Sequence, residues 1–120
     1  MASLAGRRVL VVEDETLVAM LVEDTLADAG AVVLGPVATV AEALNLLGSE
    51  RPDVAVLDLN LAGETSEPVA DRLAAMSVPF VVASGYGAAG LPQRLVGVPV
   101  LAKPYAPEDL TAALAKLPTA

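Results

Sequence analysis

The 120-residue chain contains neither cysteine nor histidine, and those two gaps remove whole classes of chemistry. Without thiols there are no disulfides and no cysteine nucleophile. Without imidazole there is no Ser-His-Asp triad, and most zinc sites are excluded. The missing cysteine fits a reducing compartment without demanding one, and a cytoplasmic location is the expectation. Aromatic residues are scarce: no tryptophan, two tyrosines and one phenylalanine. Positive charge is scarce too, with 7 Lys and Arg against 15 Asp and Glu, a net charge of −8. That balance argues against nucleic acid or an anionic membrane as partner and favours cations or basic protein surfaces. A solvated acidic surface would account for the total equally well. Long apolar runs are also missing. None approaches the roughly 20 residues of a membrane span. The first run, "VLVV" at 9–12, ends at Glu13 after four residues, so the opening does not read as a secretory signal.

What is present is an alternation. Short β-branched runs recur as "VLVV" at 9–12, "AVVLGPVA" at 31–38, "VAVL" at 54–57, "FVVA" at 80–83 and "VPVLA" at 98–102. They lack a period of two, as expected of strands buried on both faces. Helical patterns lie between them. Val18, Leu21, Val22 and Leu26 form one stripe, stopped by Gly30. Thr39 and Glu42 spell a capping box ahead of Val40, Ala43, Leu44 and Leu47. Val69, Leu73 and Met76 mark a helix after Ser66, and Pro107, Glu108 and Asp109 open another that buries Leu110, Ala113, Leu114 and Leu117. This spacing predicts an α/β fold, a doubly wound parallel sheet filling residues 1–120 as one domain. Gly35-Pro36 would interrupt a central strand, which places the second strand at an edge. The fourth helix is weak. "GAAGLPQRLVG" carries three glycines and Pro92, so residues 85–97 are expected to be the least ordered part of the chain.

Gly85-Tyr86-Gly87-Ala88-Ala89-Gly90 matches G-x-G-x-x-G, the dinucleotide fingerprint. That fingerprint belongs on the first strand–helix turn with a good helix behind it. Here it follows the fourth strand, leads into a poor helix and leaves only residues 91–120 for everything else. The nucleotide reading fails.

The strand ends are more telling, because ligands of open parallel sheets sit beyond the carboxyl ends of the strands. Glu13 and Asp14 follow the first run, Asp58 the third, Ser84 the fourth and Lys103 the fifth. Each alone has an ordinary explanation: Asp14 as a helix cap, Ser84 as turn chemistry, Lys103 as a solvated lysine. Four strands ending together in such residues is a different matter. Two carboxylates about 4 Å apart repel by roughly 4 kcal/mol at an effective dielectric of 20, so a third calls for a cation. All-oxygen ligands favour Mg²⁺ or Mn²⁺. A metal and a lysine around one carboxylate are also the equipment for phosphoryl transfer through an acyl phosphate.

The segments "VLVVEDE", "PDVAVLDLNLAG", "FVVASGYG" and "VPVLAKPY" closely resemble the four signature segments of response-regulator receiver domains of two-component signalling, across essentially the whole chain. The resemblance implies a flavodoxin-like sheet in strand order 2-1-3-4-5. It implies Asp58 as phosphoacceptor and Mg²⁺ held by Glu13, Asp14, Asp58 and the backbone carbonyl of Asn60. Ser84 and Lys103 would bind the phosphoryl group, and the Lys103-Pro104 bond would be cis. The implied partners are a histidine kinase or histidine phosphotransfer protein and a downstream target. No turnover of an external substrate is implied. A chain of the stand-alone type could pass phosphate on, drain a kinase, or bind a target through its 84–100 surface.

Two departures stand out. Receivers usually carry Tyr or Phe three residues before the lysine, where this chain has Val100. Tyr86, two residues after Ser84, instead resembles a subgroup bearing Pro-Phe-x-Phe-Ala-Thr-Gly-Tyr, with Val82 and Ser84 replacing its second Phe and its Thr. Gly85, Gly87 and Gly90 would let the loop reshape on phosphorylation, with Tyr86 responding or simply shielding the rim. Rival functions fit less well. A haloacid-dehalogenase-type phosphatase needs a second Asp where Asn60 stands, and a flavin carrier needs aromatics to sandwich its ring. A phosphate-independent interaction domain of the same fold is the remaining alternative.

Overall fold

The computed structural model describes residues 4–61, 63–85, 91–95 and 97–118. Strands β1 (Arg8–Val12), β2 (Val32–Val37), β3 (Val54–Asp58), β6 (Phe80–Ser84) and β7 (Val100–Ala102) form one sheet in the order β2-β1-β3-β6-β7. All its pairings are parallel. The two remaining strands, β4 (Asn60–Leu61) and β5 (Glu64–Thr65), make a small antiparallel hairpin directly after β3. Once that hairpin is set aside, the order is the expected 2-1-3-4-5.

The strands lack a period of two because each supplies both faces. Val9, Val11, Val54, Val56 and Val81 join a core with Val22 and Leu26 of α1 (Thr16–Asp28) and Leu110 and Leu114 of α4 (Pro107–Ala115). Leu10, Val12, Ala55, Leu57 and Val82 point the other way. They pack against Val40, Ala43 and Leu47 of α2 (Val40–Leu47) and Val69 and Leu73 of α3 (Glu67–Ala75). Fully burying each such Val or Leu is worth roughly 1.5–3 kcal/mol.

Helix ends follow the local chemistry. Ala31 N–H donates to Leu26 C=O and Gly30 N–H to Ala27 C=O, the paired bonds of a Schellman stop, with Gly30 at φ 82°. Thr39 Oγ1 accepts from Glu42 N–H, and Glu42 Oε1 accepts in return from Ala38 N–H and Thr39 Oγ1. The predicted stripe of α1 needs one correction: Leu21 is 66% exposed, beside exposed Leu17 and Met20. Ala19 takes the buried place on that helix. Leu44 of α2 is likewise partly turned to solvent.

Between β6 and β7 the described residues contain no α-helix, only a 3-10 turn over Gln93–Leu95, with Leu95 buried in the α2/α3 core. Tyr86, Gly87 and Gly90 lie outside the described residues, as do Ala88, Ala89 and Val96 of the stretch expected to be least ordered.

Edge strand β2 carries the interruption foreseen at Gly35-Pro36, a cis bond. Leu10 pairs with Leu34 but Val12 with Val37, so β2 spends one more residue than β1 in that interval. Gly35 makes this possible. Its φ is 93°, and a Cβ there would lie 2.8 Å from Val37 N and 3.1 Å from Val11 O. The offset ends where Glu13 N–H donates to Val37 C=O at 2.9 Å, so the irregular edge fixes the start of the first acidic loop.

Candidate functional site

Register brings the polar strand ends together. Val12 pairs with Leu57, Asp58 with Ala83, and Ser84 with Ala102, so Glu13, Asp58, Ser84 and Lys103 emerge side by side on one rim. Two backbone bonds extend the ladders past the strands: Leu59 N–H to Ala83 C=O at 3.0 Å and Lys103 N–H to Ser84 C=O at 2.9 Å. Glu13, Asp58 and Ser84 are all buried.

At the centre, the Lys103 ammonium donates to Asp58 Oδ2 at 2.9 Å and to Glu13 Oε1 at 3.3 Å. Glu13 Oε2 accepts the Glu15 N–H at 3.1 Å, and Asp58 Oδ1 faces the Asn60 N–H at 3.4 Å. Glu13, Asp14 and Asp58 each offer an oxygen within 4.8 Å of the others. Burial pushes the Glu13 carboxyl up to about 7; the Glu15 N–H opposes this, Asp58 adds to it, and Lys103 offsets part. Burial alone would lower the Lys103 ammonium, but Asp58 and Glu13 outweigh it and raise its pKa.

Three carboxylates share this corner of the rim, and the Lys103 ammonium contacts two of them. The donors are all oxygen, and the groups stand close enough to share one small ion. Such a set suits a hard divalent cation far better than zinc or copper.

The structure thus gathers Glu13, Asp14, Asp58, Ser84 and Lys103, and places Asn60 next to Asp58 at the start of the β4–β5 hairpin. Lys103-Pro104 is cis, as the resemblance implied. Gly85 closes the described part of its loop, and a Cβ there would meet nothing within 4 Å. Val100 pairs with Val82 in the sheet.

Two residues near the site carried no sequence signal that tied them to it. The half-buried Tyr105 has its phenol raised by burial first and then by the Glu13 carboxylate, which marks it as a neighbour of the cluster. Only its position behind Lys103-Pro104 could have drawn attention to it. Ser66 reads from sequence as a helix start, but its hydroxyl makes no cap and bonds Leu59 C=O instead.

Beside the rim lies an apolar groove of about 450 Å³ between α1 and the Lys103–Tyr105 turn, lined by Val18, Leu21, Val22, Pro104, Tyr105 and Leu110 among others.

Comparison with known proteins agrees with this geometry. The family model for the response regulator receiver domain matches residues 9–115. Among curated proteins, the transcriptional regulatory protein PdtaR of Mycobacterium tuberculosis is 28% identical over 112 residues, covering 90% of this chain and 55% of its own. The phyllosphere-induced regulator PhyR of Methylorubrum extorquens is 30% identical over 112 residues, covering 90% and 42%. The chain therefore spans about half the length of the curated relatives it matches. Among solved structures, SdrG from Sphingomonas melonis Fr1 superposes with a TM-score of 0.80 at 42% identity, covering 96% of this chain and 97% of that one. A BeF3-activated conformation of SdrG, from Pseudomonas melonis Fr1, gives 0.77 at 40% identity with the same coverage. This chain belongs to the response-regulator receiver-domain family.

Proposed function

We propose that the chain is a phosphoryl-accepting switch in which Asp58 takes a phosphoryl group from a phosphohistidine on a kinase or phosphotransfer protein. The observation that carries this reading is the Lys103–Asp58 ion pair, 2.9 Å long, at the buried heart of an oxygen-only acidic cluster. Glu13, Asp14, Asp58 and the Asn60 carbonyl would hold Mg²⁺ or Mn²⁺, which when bound supplies positive charge against the transferring phosphoryl oxygens.

The chain's own groups do the rest. An Asp58 carboxylate oxygen attacks phosphorus, the P–N bond to the donor imidazole breaks, and that nitrogen picks up a proton from solvent. Lys103 holds the Asp58 carboxylate oriented beforehand and neutralises charge as it builds. The buried Ser84 hydroxyl stands at the end of the neighbouring strand, the place from which a hydroxyl can turn toward new phosphoryl oxygens. A phosphoryl group adds about −1.5 to −2 of charge, enough to bias the loop after β6 between two arrangements and alter the 84–100 surface. Water returns Asp58 to its free form, and no external substrate is turned over. The groove between α1 and the Lys103–Tyr105 turn runs up to Lys103. On this reading a donor protein approaches Asp58 along that groove and seats an apolar helix face in it.

The BeF3-activated conformation of SdrG lends support by homology, since beryllofluoride mimics an acyl phosphate. The test is incubation with acetyl phosphate, or with BeF₃⁻, in the presence of Mg²⁺, read by intact mass and ¹⁹F NMR. Wild type should form one adduct and Asp58→Asn none. A wild type inert to both donors would overturn the reading and leave the phosphate-independent interaction domain.

A further inference from the structure

The second peptide beyond the phosphoacceptor is held from both sides. Its carbonyl belongs to Leu59 and its N–H to Asn60. Leu59 C=O accepts two bonds from one residue, the Ser66 N–H at 2.8 Å and the Ser66 hydroxyl at 3.0 Å. Asn60 N–H, on the opposite edge of the same plane, faces Asp58 Oδ1 at 3.4 Å. Because the peptide unit is planar and trans, its C=O and N–H point in opposite directions and cannot be turned independently. Whatever fixes the carbonyl fixes the donor.

Ser66 is suited to that task and to little else. It is fully buried, begins α3, and yet caps none of that helix's N–H groups with its side chain. A buried hydroxyl that forgoes the usual N-terminal role needs another partner, because leaving it unpaired forfeits its hydration with nothing in return. It finds that partner seven positions back in the chain, beside Asp58. The β4–β5 pairing, Asn60 with Thr65 and Leu61 with Glu64, brings Ser66 round to Leu59. Leu59 N–H is tied separately to β6 through Ala83, so the peptide on its other side is anchored as well.

We infer that Ser66 is a positioning residue: through the Leu59 carbonyl it aims the Asn60 N–H at the Asp58 carboxylate and so sets the geometry in which phosphoryl oxygens are received. The catalytic consequence rests on Asp58 being the phosphoacceptor; the clasp itself does not. The hydroxyl acts on no reacting atom.

The experiment compares wild type, Ser66→Ala and Ser66→Thr, each first shown folded by circular dichroism well below its melting temperature. Two readouts are taken. In the uncharged protein, the Asn60 amide ¹⁵N–¹H resonance and its hydrogen exchange report the aim of the donor. Ser66→Ala should move the resonance and speed exchange about fivefold, the scale of one lost hydrogen bond. With Mg²⁺ and BeF₃⁻, ¹⁹F NMR should show apparent affinity for the mimic weakened about fivefold in Ser66→Ala and regained in Ser66→Thr, which keeps the hydroxyl. If Ser66→Ala melts earlier but leaves both the Asn60 amide and the BeF₃⁻ affinity at wild-type values, the residue only packs and the inference falls. If wild type takes up no BeF₃⁻, the phosphoacceptor reading fails instead, and the Asn60 amide still decides the clasp.

Discussion

Lys103 Nζ lies 2.9 Å from Asp58 Oδ2 across a sequence separation of 45 residues, and the same ammonium reaches Glu13 Oε1 at 3.3 Å. One cation just past β7 thus ties together the carboxylate that follows β1 and the one that ends β3, a contact that only the β1-β3-β6-β7 register permits. The three groups are coupled. A change to any one alters the charge balance felt by the other two.

Removing the ammonium should therefore cost both stability and function. In Lys103→Met the buried Glu13 and Asp58 carboxylates lose their cation. Because the lysine side chain is partly exposed, the expected loss is about 1–2 kcal/mol, below the range for a fully buried pair. Urea unfolding at neutral pH without divalent metal measures it. Adduct formation with acetyl phosphate should fall by at least tenfold. Equal stability and equal adduct yield would show that the ion pair is incidental.

The raised Glu13 carboxyl makes a pH prediction with a definite sign. Its pKa is about 7 in the folded chain against 4.5 for the ordinary group. Between those values the folded protein holds a proton that the unfolded chain has released. Stability of the metal-free protein should thus decline as pH rises from about 4.5 to about 7. Urea midpoints in EDTA across that range measure the slope, and Glu13→Gln should flatten it. A divalent cation needs the deprotonated carboxylate, so Mg²⁺ affinity should climb over the same interval. Affinity independent of pH there would remove Glu13 from the ligand set.

Much of this was legible because strand ends are legible. Glu13, Asp58, Ser84 and Lys103 each follow a β-branched run, and a parallel sheet leaves little freedom about where such residues emerge. Gly35-Pro36 announced an edge strand for the same reason: a central strand cannot lose a donor there. Other features depended on distance in three dimensions. Leu21 fits the helical period of Val18, Val22 and Leu26, yet is 66% exposed, because periodicity defines a stripe without giving its width. The β4–β5 hairpin is two residues per strand, too short for any pattern to declare. Ser66 marked only the start of a helix, because nothing local reveals that Leu59 C=O lies within reach of its hydroxyl.

Gly35 links the sheet edge to the acidic loop. Any side chain there is strained at φ 93°, and its Cβ would collide with Val37 N, a backbone atom that cannot step aside. Gly35→Ala is expected to cost about 2–3 kcal/mol, read as a lower urea midpoint with an unchanged slope. Because Val37 C=O holds the Glu13 N–H, Mg²⁺ affinity should weaken in the same variant. A well-tolerated alanine with normal metal binding would mean that the edge adapts without disturbing the loop.

The exposed face of α1 gives the last prediction, and a way to separate docking from chemistry. Leu21 lines the groove that runs to Lys103, and 66% of its surface is open to solvent, whereas Leu26, one and a half turns on, is fully buried. Leu21→Arg should shift stability by less than about 0.5 kcal/mol. Leu26→Ala should cost about 2–5 kcal/mol. If the groove receives the phosphoryl donor protein, Leu21→Arg should slow transfer from a phosphohistidine-bearing partner by about tenfold or more. Labelling by acetyl phosphate, which needs no docking surface, should proceed at the wild-type rate. Equal slowing with both donors would move Leu21 from the partner interface to the acceptor site, and no slowing with either would leave the groove unused in phosphoryl transfer.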